Sequence, residues 1–226
     1  NNCDMRSTGW ELEIGWKDQI GEVKYGARFN ISDSKSKILN YPYDGAFDAQ
    51  SINSYYNGKI LGEIWGYESA GIANSQAEMD QWHAAGNKPN WGSNWSAGDI
   101  MYKNTDGKDG VTPGAQTLGD HGDLKRLGNN TSRYRFGLNL DASWKGFDIS
   151  VFFQGVLKRD YMFGSGDPYF WGAVGGMWQS ACFENHLDYW TPENTDAYYA
   201  KPYFNNGGKN HQAQDRYLQD ASYIRC

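Results

Sequence analysis

Few residues in this chain have the type and spacing to do chemistry. Asn104, Asp106 and Asp109 place oxygen ligands close together in a stretch that also carries Gly107 and Gly110. Calcium prefers such oxygens, and glycine allows the sharp turn that would bring them round one ion. An EF-hand-type loop closes its shell with a glutamate at the twelfth position. Counted from Asn104, that position is Ala115, which offers no carboxylate. Two readings therefore stand: a Ca2+ site of irregular spacing, or an Asx-rich turn whose short side chains cap their own backbone. No other cofactor is required by the sequence.

Catalytic sets are missing. The four histidines, His83, His121, His186 and His211, are scattered. Asp120-His121-Gly122-Asp123 sets a histidine between carboxylates, yet no nucleophile accompanies it in a GxSxG, HExxH or CxxC context. We assign no catalytic residue and expect no enzyme. The candidates for ligand contact are aromatic: Trp65, Trp82, Trp91 and Trp95 in one long connection, and Trp171 in the next, near Tyr169, Phe170 and Trp178. A flat apolar ring can stack on a sugar, and it serves equally well in an interface or in packing.

Composition bounds the rest. The net charge of −6 argues against a nucleic-acid partner. Cys3, Cys182 and Cys226 show no paired spacing, so neither a disulfide framework nor a zinc pattern is expected. The chain begins without a signal peptide and ends inside an apparent strand, and it reads as a fragment. No apolar run reaches the roughly 18–20 residues of a membrane helix. Barrel strands alternate and never show one.

The elements that must position these residues are strands. Trp10, Leu12, Ile14 and Trp16 alternate with Glu11, Glu13, Gly15 and Lys17. After a polar link at 18–21, Val23, Tyr25, Ala27, Phe29 and Ile31 alternate with Lys24, Gly26, Arg28 and Asn30. Strict alternation is the signature of a strand with one apolar face, and so short a link makes a hairpin. A second hairpin turns at Lys145-Gly146 between Tyr134–Trp144 and Phe147–Phe153. Strands are expected near 9–17, 22–32, 132–144, 147–157 and 221–226. They exceed the about 5–6 residues of ordinary strands and fit the about 9–11 of membrane-crossing ones. Trp10, Trp16, Trp144 and Phe147 sit at strand ends, where interfacial aromatics belong. The connections at 33–131 and 158–216 are very long and the others very short, which is the plan of an outer-membrane barrel with long extracellular loops. In the first connection, Ser75-Gln76-Ala77-Glu78 is a capping box and predicts a short helix over about 76–85, ended by Gly86.

Six motifs then match one family in order. MRSTGWELEI (5–14), GDIMYK (98–103) with the following NTDGKDG, LGNNTSRY (127–134), GFDISVFFQG (146–155), YWTPEN (189–194) and LQDASYIR (218–225) together resemble the C-terminal region of SusC/RagA-type TonB-dependent receptors. Ser132 stands where that family often has proline, and Lys108 interrupts its NGDG run. The resemblance implies a barrel of about 22 strands with an N-terminal plug. It also implies uptake driven by the TonB system, a SusD-like surface lipoprotein as a hinged lid, outer-membrane lipid around the wall, and glycan or sometimes peptide cargo. The fold class expected is all-β: an antiparallel transmembrane barrel segment of about five strands with two long extracellular loops containing short helices. The alternatives are a secreted carbohydrate-binding β-sandwich and a β-rich glycoside hydrolase.

Overall fold

The computed structural model describes residues 3–171, 183–203 and 207–226. In chain order the elements are β1 (Asp4–Ile20), β2 (Val23–Asn40), β3 (Glu63–Gly66), β4 (Ser69–Ile72), α1 (Gln76–Trp82), β5 (Ile100–Tyr102) and β6 (Lys125–Asn129). There follow β7 (Arg133–Trp144), β8 (Phe147–Lys158), β9 (Asp160–Tyr161), α2 (Pro168–Trp171), β10 (Gln219–Asp220) and β11 (Tyr223–Arg225). One antiparallel sheet has the order β1-β2-β7-β8-β11, and three two-stranded pairs (β3 with β6, β4 with β5, β9 with β10) lie in the connections. The chain is thus mainly β with antiparallel pairing, and its main sheet is open, not closed.

Register divides the sheet into two chemical faces. Leu12, Ile31 and Phe136 share a row; Ile14, Phe29, Leu138 and Phe153 share the next; Trp16, Ala27, Leu140 and Val151 share a third. Side chains alternate across a sheet, so the rows between them face the other way. Those rows join Glu13, Asn30, Gly137, Gln154 and Arg225, then Gly15, Arg28, Asn139 and Phe152, then Lys17, Gly26, Asp141 and Ser150. A one-residue slip would invert every strand, and the four long strands agree on one register.

Two tight turns hold it. Lys145 and Gly146 both have positive φ, 46° and 86°, the pattern of a type I′ hairpin turn. The first turn is shorter than the link expected at 18–21. Residues 18–20 remain paired, Asp18 opposite Tyr25 and Ile20 opposite Val23, and only Gly21-Glu22 reverses the chain, with Gly21 at φ 59°. Polar residues there continue the ladder and do not leave it.

The strands also outrun the alternation at their other ends. Asp4–Gly9 pairs with Ser34–Asn40, where serines and lysines replace the apolar rows. That extension is fixed by backbone bonds to the following connection: Gly58 N–H donates to Ile38 O at 2.8 Å, Ile38 N–H to Lys59 O at 2.9 Å, and Leu61 N–H to Ser36 O at 2.9 Å. No apolar period marks such a stretch, so the sequence pattern stops near Ile31.

The two long connections are not separate structureless loops. They share one aromatic core, in which Ile52, Ile100, Tyr102 and Val111 of the first meet Phe170, Trp171, Trp190 and Tyr217 of the second. Tyr67 N–H donates to Ala213 O at 2.8 Å, and Asp215 N–H returns to Tyr67 O at 3.0 Å. Helix α1 starts at the capping box: Ser75 Oγ accepts from Glu78 N–H at 3.1 Å. The Glu78 carboxylate reaches back to Asn74 N–H at 2.7 Å. Gly86, at φ 89°, breaks the turn that follows. Among the described residues no helix is long and apolar enough to cross a membrane. Cys182 and Trp178 fall outside the described residues, and Cys3 and Cys226 are exposed free thiols.

Candidate functional site

The first functional feature is the sheet itself. Ile14 is 57% exposed, Trp16 64%, Ile149 63% and Phe147 75%. Large contiguous apolar patches are rare on soluble monomers and mark a surface that something apolar covers. The rows from Trp10 to Trp144 span ten residues of strand; at about 3.4 Å per residue and a tilt of about 40° this band is about 26 Å tall. The lipid-facing band of an outer-membrane barrel is about 25 Å. On the polar face Arg28 pairs with Glu13 at 3.2 Å, and both side chains are open to water. Where the sheet meets the connections, the Arg133 guanidinium grips the Asp33 carboxylate with two nitrogens.

The second feature is the joint between the connections. Lys209 Nζ lies 2.7 Å from Asp99 Oδ2, and neither side chain is exposed. Asp99 also accepts from Asn210 Nδ2 at 2.9 Å, Tyr203 OH at 3.2 Å and Ser96 N–H at 2.8 Å. The ammonium donates further to Asn94 O at 3.0 Å and stands 3.9 Å from the Tyr203 ring centre. Burial lowers the Lys209 pKa, and the Asp99 carboxylate works against that shift. Burial likewise pushes the Tyr203 hydroxyl up to about 12. A buried ion pair holds only when its remaining hydrogen-bonding capacity is met, and here it is. It fastens two segments more than a hundred residues apart.

The acidic turn is arranged as follows. Asn104 Oδ1 accepts from Gly107 N–H at 2.8 Å, and Asn104 Nδ2 donates to Gly86 O at 2.9 Å. Asp106 Oδ1 accepts from Lys108 N–H at 2.9 Å, and its other oxygen faces Lys108 Nζ at 3.4 Å. Asp109 is exposed at the edge. The carboxylate that organises the turn is Asp123, fully buried, which accepts from the backbone N–H groups of Thr105, Asp106 and Thr112. Among the described residues no three His, Cys, Asp or Glu side chains are grouped to hold a metal ion. The histidines are dispersed in packing: His121 lies against Trp65 and His83 against Trp95, while His186 accepts from Phe183 N–H at 3.0 Å. His211 stacks on Trp171 with ring centres 4.3 Å apart, and burial lowers its pKa to about 4.

The five candidate indoles divide into two groups. Trp171 is 3% exposed and donates to Gly164 O at 2.9 Å. Trp82 donates to Tyr102 O at 2.8 Å beside Met79. Trp95 packs edge-on to Tyr102 and His83. Trp65 and Trp91 instead line one open cleft of about 300 Å³. Trp91 packs against Tyr67, which lines the same cleft, with ring centres 4.8 Å apart, and donates to Lys209 O at 3.3 Å. The cleft also gathers Asn53, Asn90, Gln116 and Gln212. Sequence reasoning missed these four amides because no local pattern joins positions so far apart. It also missed Lys209, which no local signal in the sequence marks out.

A long-stranded antiparallel sheet with one apolar and one polar face, carrying a folded body at one end, defines the class as mainly β and antiparallel. Comparisons with known proteins agree. Over 245 residues the chain is 22% identical to TonB-dependent receptor P3 of Formosa agariphila, covering 100% of this chain and 21% of that protein. The solved RagAB peptide transporter superposes with a TM-score of 0.62 at 18% identity, over 99% of this chain and 22% of that one. RagAB in its closed-closed state gives 0.60 at 18% identity, over 98% and 22%. No family model matches. The chain therefore spans about a fifth of the length of the relatives it matches. The likeness to SusC/RagA-type TonB-dependent receptors read from the motifs holds in sequence and in fold.

Proposed function

We propose that this chain is part of a TonB-dependent outer-membrane transporter that imports oligomeric nutrients. The observation that carries the proposal is the uncovered apolar face, whose rows at Ile14 and Trp16 are apolar across all four long strands, opposite a charged and amide-rich face. In this reading the apolar face meets outer-membrane lipid and the polar face lines the lumen. Strands beyond this chain close the barrel, since β1 is an edge with no partner on its outer side among the described residues. The turns at 21–22 and 145–146 lie on the periplasmic side, and the joint body formed by 41–131 with 159–171, 183–203 and 207–220 faces outward. A SusD-like lipoprotein covers that body, and the TonB system acts through the plug, which belongs to another part of the polypeptide. The cargo is a glycan; a peptide is the second reading, favoured by the likeness to the RagAB peptide transporter. The chain performs no catalysis of its own.

The soluble alternatives fare worse. A β-sandwich module or a β-rich hydrolase would lay a second sheet on the apolar rows, and among the described residues none does so. Fractionation of the full-length protein tests the proposal. Recovery in the outer membrane, released only by detergent, is expected. Recovery in the soluble fraction would overturn it. Spin labels at 12, 14, 136 and 138 should report lipid, and labels at 13, 28, 135 and 139 should report water.

A further inference from the structure

We propose that the cleft between Trp65 and Trp91 binds one end of an uncharged, hydroxyl-rich oligomer, a neutral oligosaccharide, and that it selects against charged cargo. The inference rests on the transporter reading and adds a site and a charge rule to it. The cleft is walled by two indoles, the Tyr67 ring and four carboxamides, Asn53, Asn90, Gln116 and Gln212, and no Asp, Glu, Lys, Arg or His lines it; burial raises the Tyr67 pKa, so its hydroxyl stays neutral. An amide side chain offers a donor and an acceptor together, which matches the paired donor and acceptor character of neighbouring sugar hydroxyls. Internal bonds use only part of this capacity: Asn53 Nδ2 donates to Gln116 Oε1, and Gln212 Nε2 donates to Gly208 O at 2.8 Å.

The charges beside the Trp65 ring form an ion pair outside the lining. Arg126 stands 5.2 Å from the Trp65 ring and pairs with Glu63 at 3.7 Å. A uronate, a sulfate or a peptide terminus would find no cationic side chain in the lining and would lose hydration there, which is costly. A neutral polyol loses hydroxyl hydration that the amides replace. The volume, about 300 Å³, is at the small end of ligand pockets, so it holds the end of a chain and not its length. Trp91 is held by ring contact with Tyr67 in the same lining and by the carbonyl of Lys209, the residue buried against Asp99. Pre-positioned rings lose little freedom on binding.

The test is titration of detergent-purified full-length protein, followed by tryptophan fluorescence and calorimetry. The probes are neutral β-glucan, xylan and mannan hexasaccharides, an oligoguluronate of equal length, and an acetylated, amidated hexa-alanine. At least one neutral hexasaccharide should bind, with the oligoguluronate at least about tenfold weaker. Trp91→Ala should weaken the neutral ligand about tenfold or more. Because Trp91 also packs on Tyr67, the exposed position Asn90 supplies a second variant: Asn90→Lys should lower affinity for the neutral ligand and raise it for the oligoguluronate. The inference falls if the oligoguluronate binds as well as the sugars, if the capped peptide is preferred, if no neutral hexasaccharide binds, or if Asn90→Lys leaves both affinities unchanged. Each of those results is compatible with a protein that still fractionates to the outer membrane, so failure here is separable from failure of the transporter reading.

Discussion

Lys209 Nζ and Asp99 Oδ2 are 2.7 Å apart with no exposure of either side chain, although 109 residues of chain separate them. This pair makes one body of two connections. Removing one member leaves the other as a buried, uncompensated charge, a loss of about 3–5 kcal/mol. Asp99→Ala should therefore open the body to proteolysis in the full-length protein while the strands stay protected. Asp99→Asn combined with Lys209→Met should recover part of the loss, because it removes both charges together. A double-mutant cycle read by protease protection checks the coupling, and strictly additive effects would refute it.

A second prediction concerns acid. Burial holds the His211 pKa at about 4, below its ordinary 6.5. The folded state then binds fewer protons than the unfolded one between these values. The contribution to stability is complete above about pH 6.5 and is lost as pH falls toward 4. At about 1.4 kcal/mol per unit, the loss amounts to roughly 3 kcal/mol. Tryptophan fluorescence of the outer body should change across this window, since His211 stacks on Trp171. His211→Phe should flatten the pH dependence; an unchanged profile would show that other groups govern it.

The faces of the sheet can be separated by neighbouring residues on one strand. Leu138 lies mid-band between Phe29 and Phe153. Arginine there should cost about 2–4 kcal/mol in lipid vesicles, as charges at the bilayer midplane do. Asn139→Arg, one position on, faces the polar side beside Arg28 and should cost far less. Urea unfolding in vesicles measures both, and equal losses would contradict the assignment of faces.

The turn at Lys145-Gly146 gives a purely conformational test. Gly146 has φ 86°, and a Cβ added there would meet nothing within 4 Å. Gly146→Ala should therefore destabilise by about 1–2 kcal/mol through backbone strain alone. The same measurement in vesicles checks it, and a clash-sized loss would point to an unseen neighbour.

Much of the wall was legible in the sequence. Alternation from Trp10 to Trp16 and from Tyr134 to Trp144 fixes strand type and face, because a period of two has one structural meaning and a register slip would reverse it. The capping box at Ser75 placed α1 for an equally local reason. What the sequence could not contain was everything that depends on distant chain segments. The polar ladder from Asp4 to Gly9 exists because β2 pairs with it and β2 is itself held by residues 58–61. Trp82, Trp95 and Trp171 look like Trp65 and Trp91 on paper; only the packing of two connections turned three inward and left two lining a cleft. The amides of that cleft come from positions 53, 90, 116 and 212, and the charge of Lys209 is neutralised from position 99. Local periodicity determined the wall, since strand geometry is set by nearest neighbours. The body above it was decided by tertiary structure, since burial and charge pairing arise only when remote residues meet.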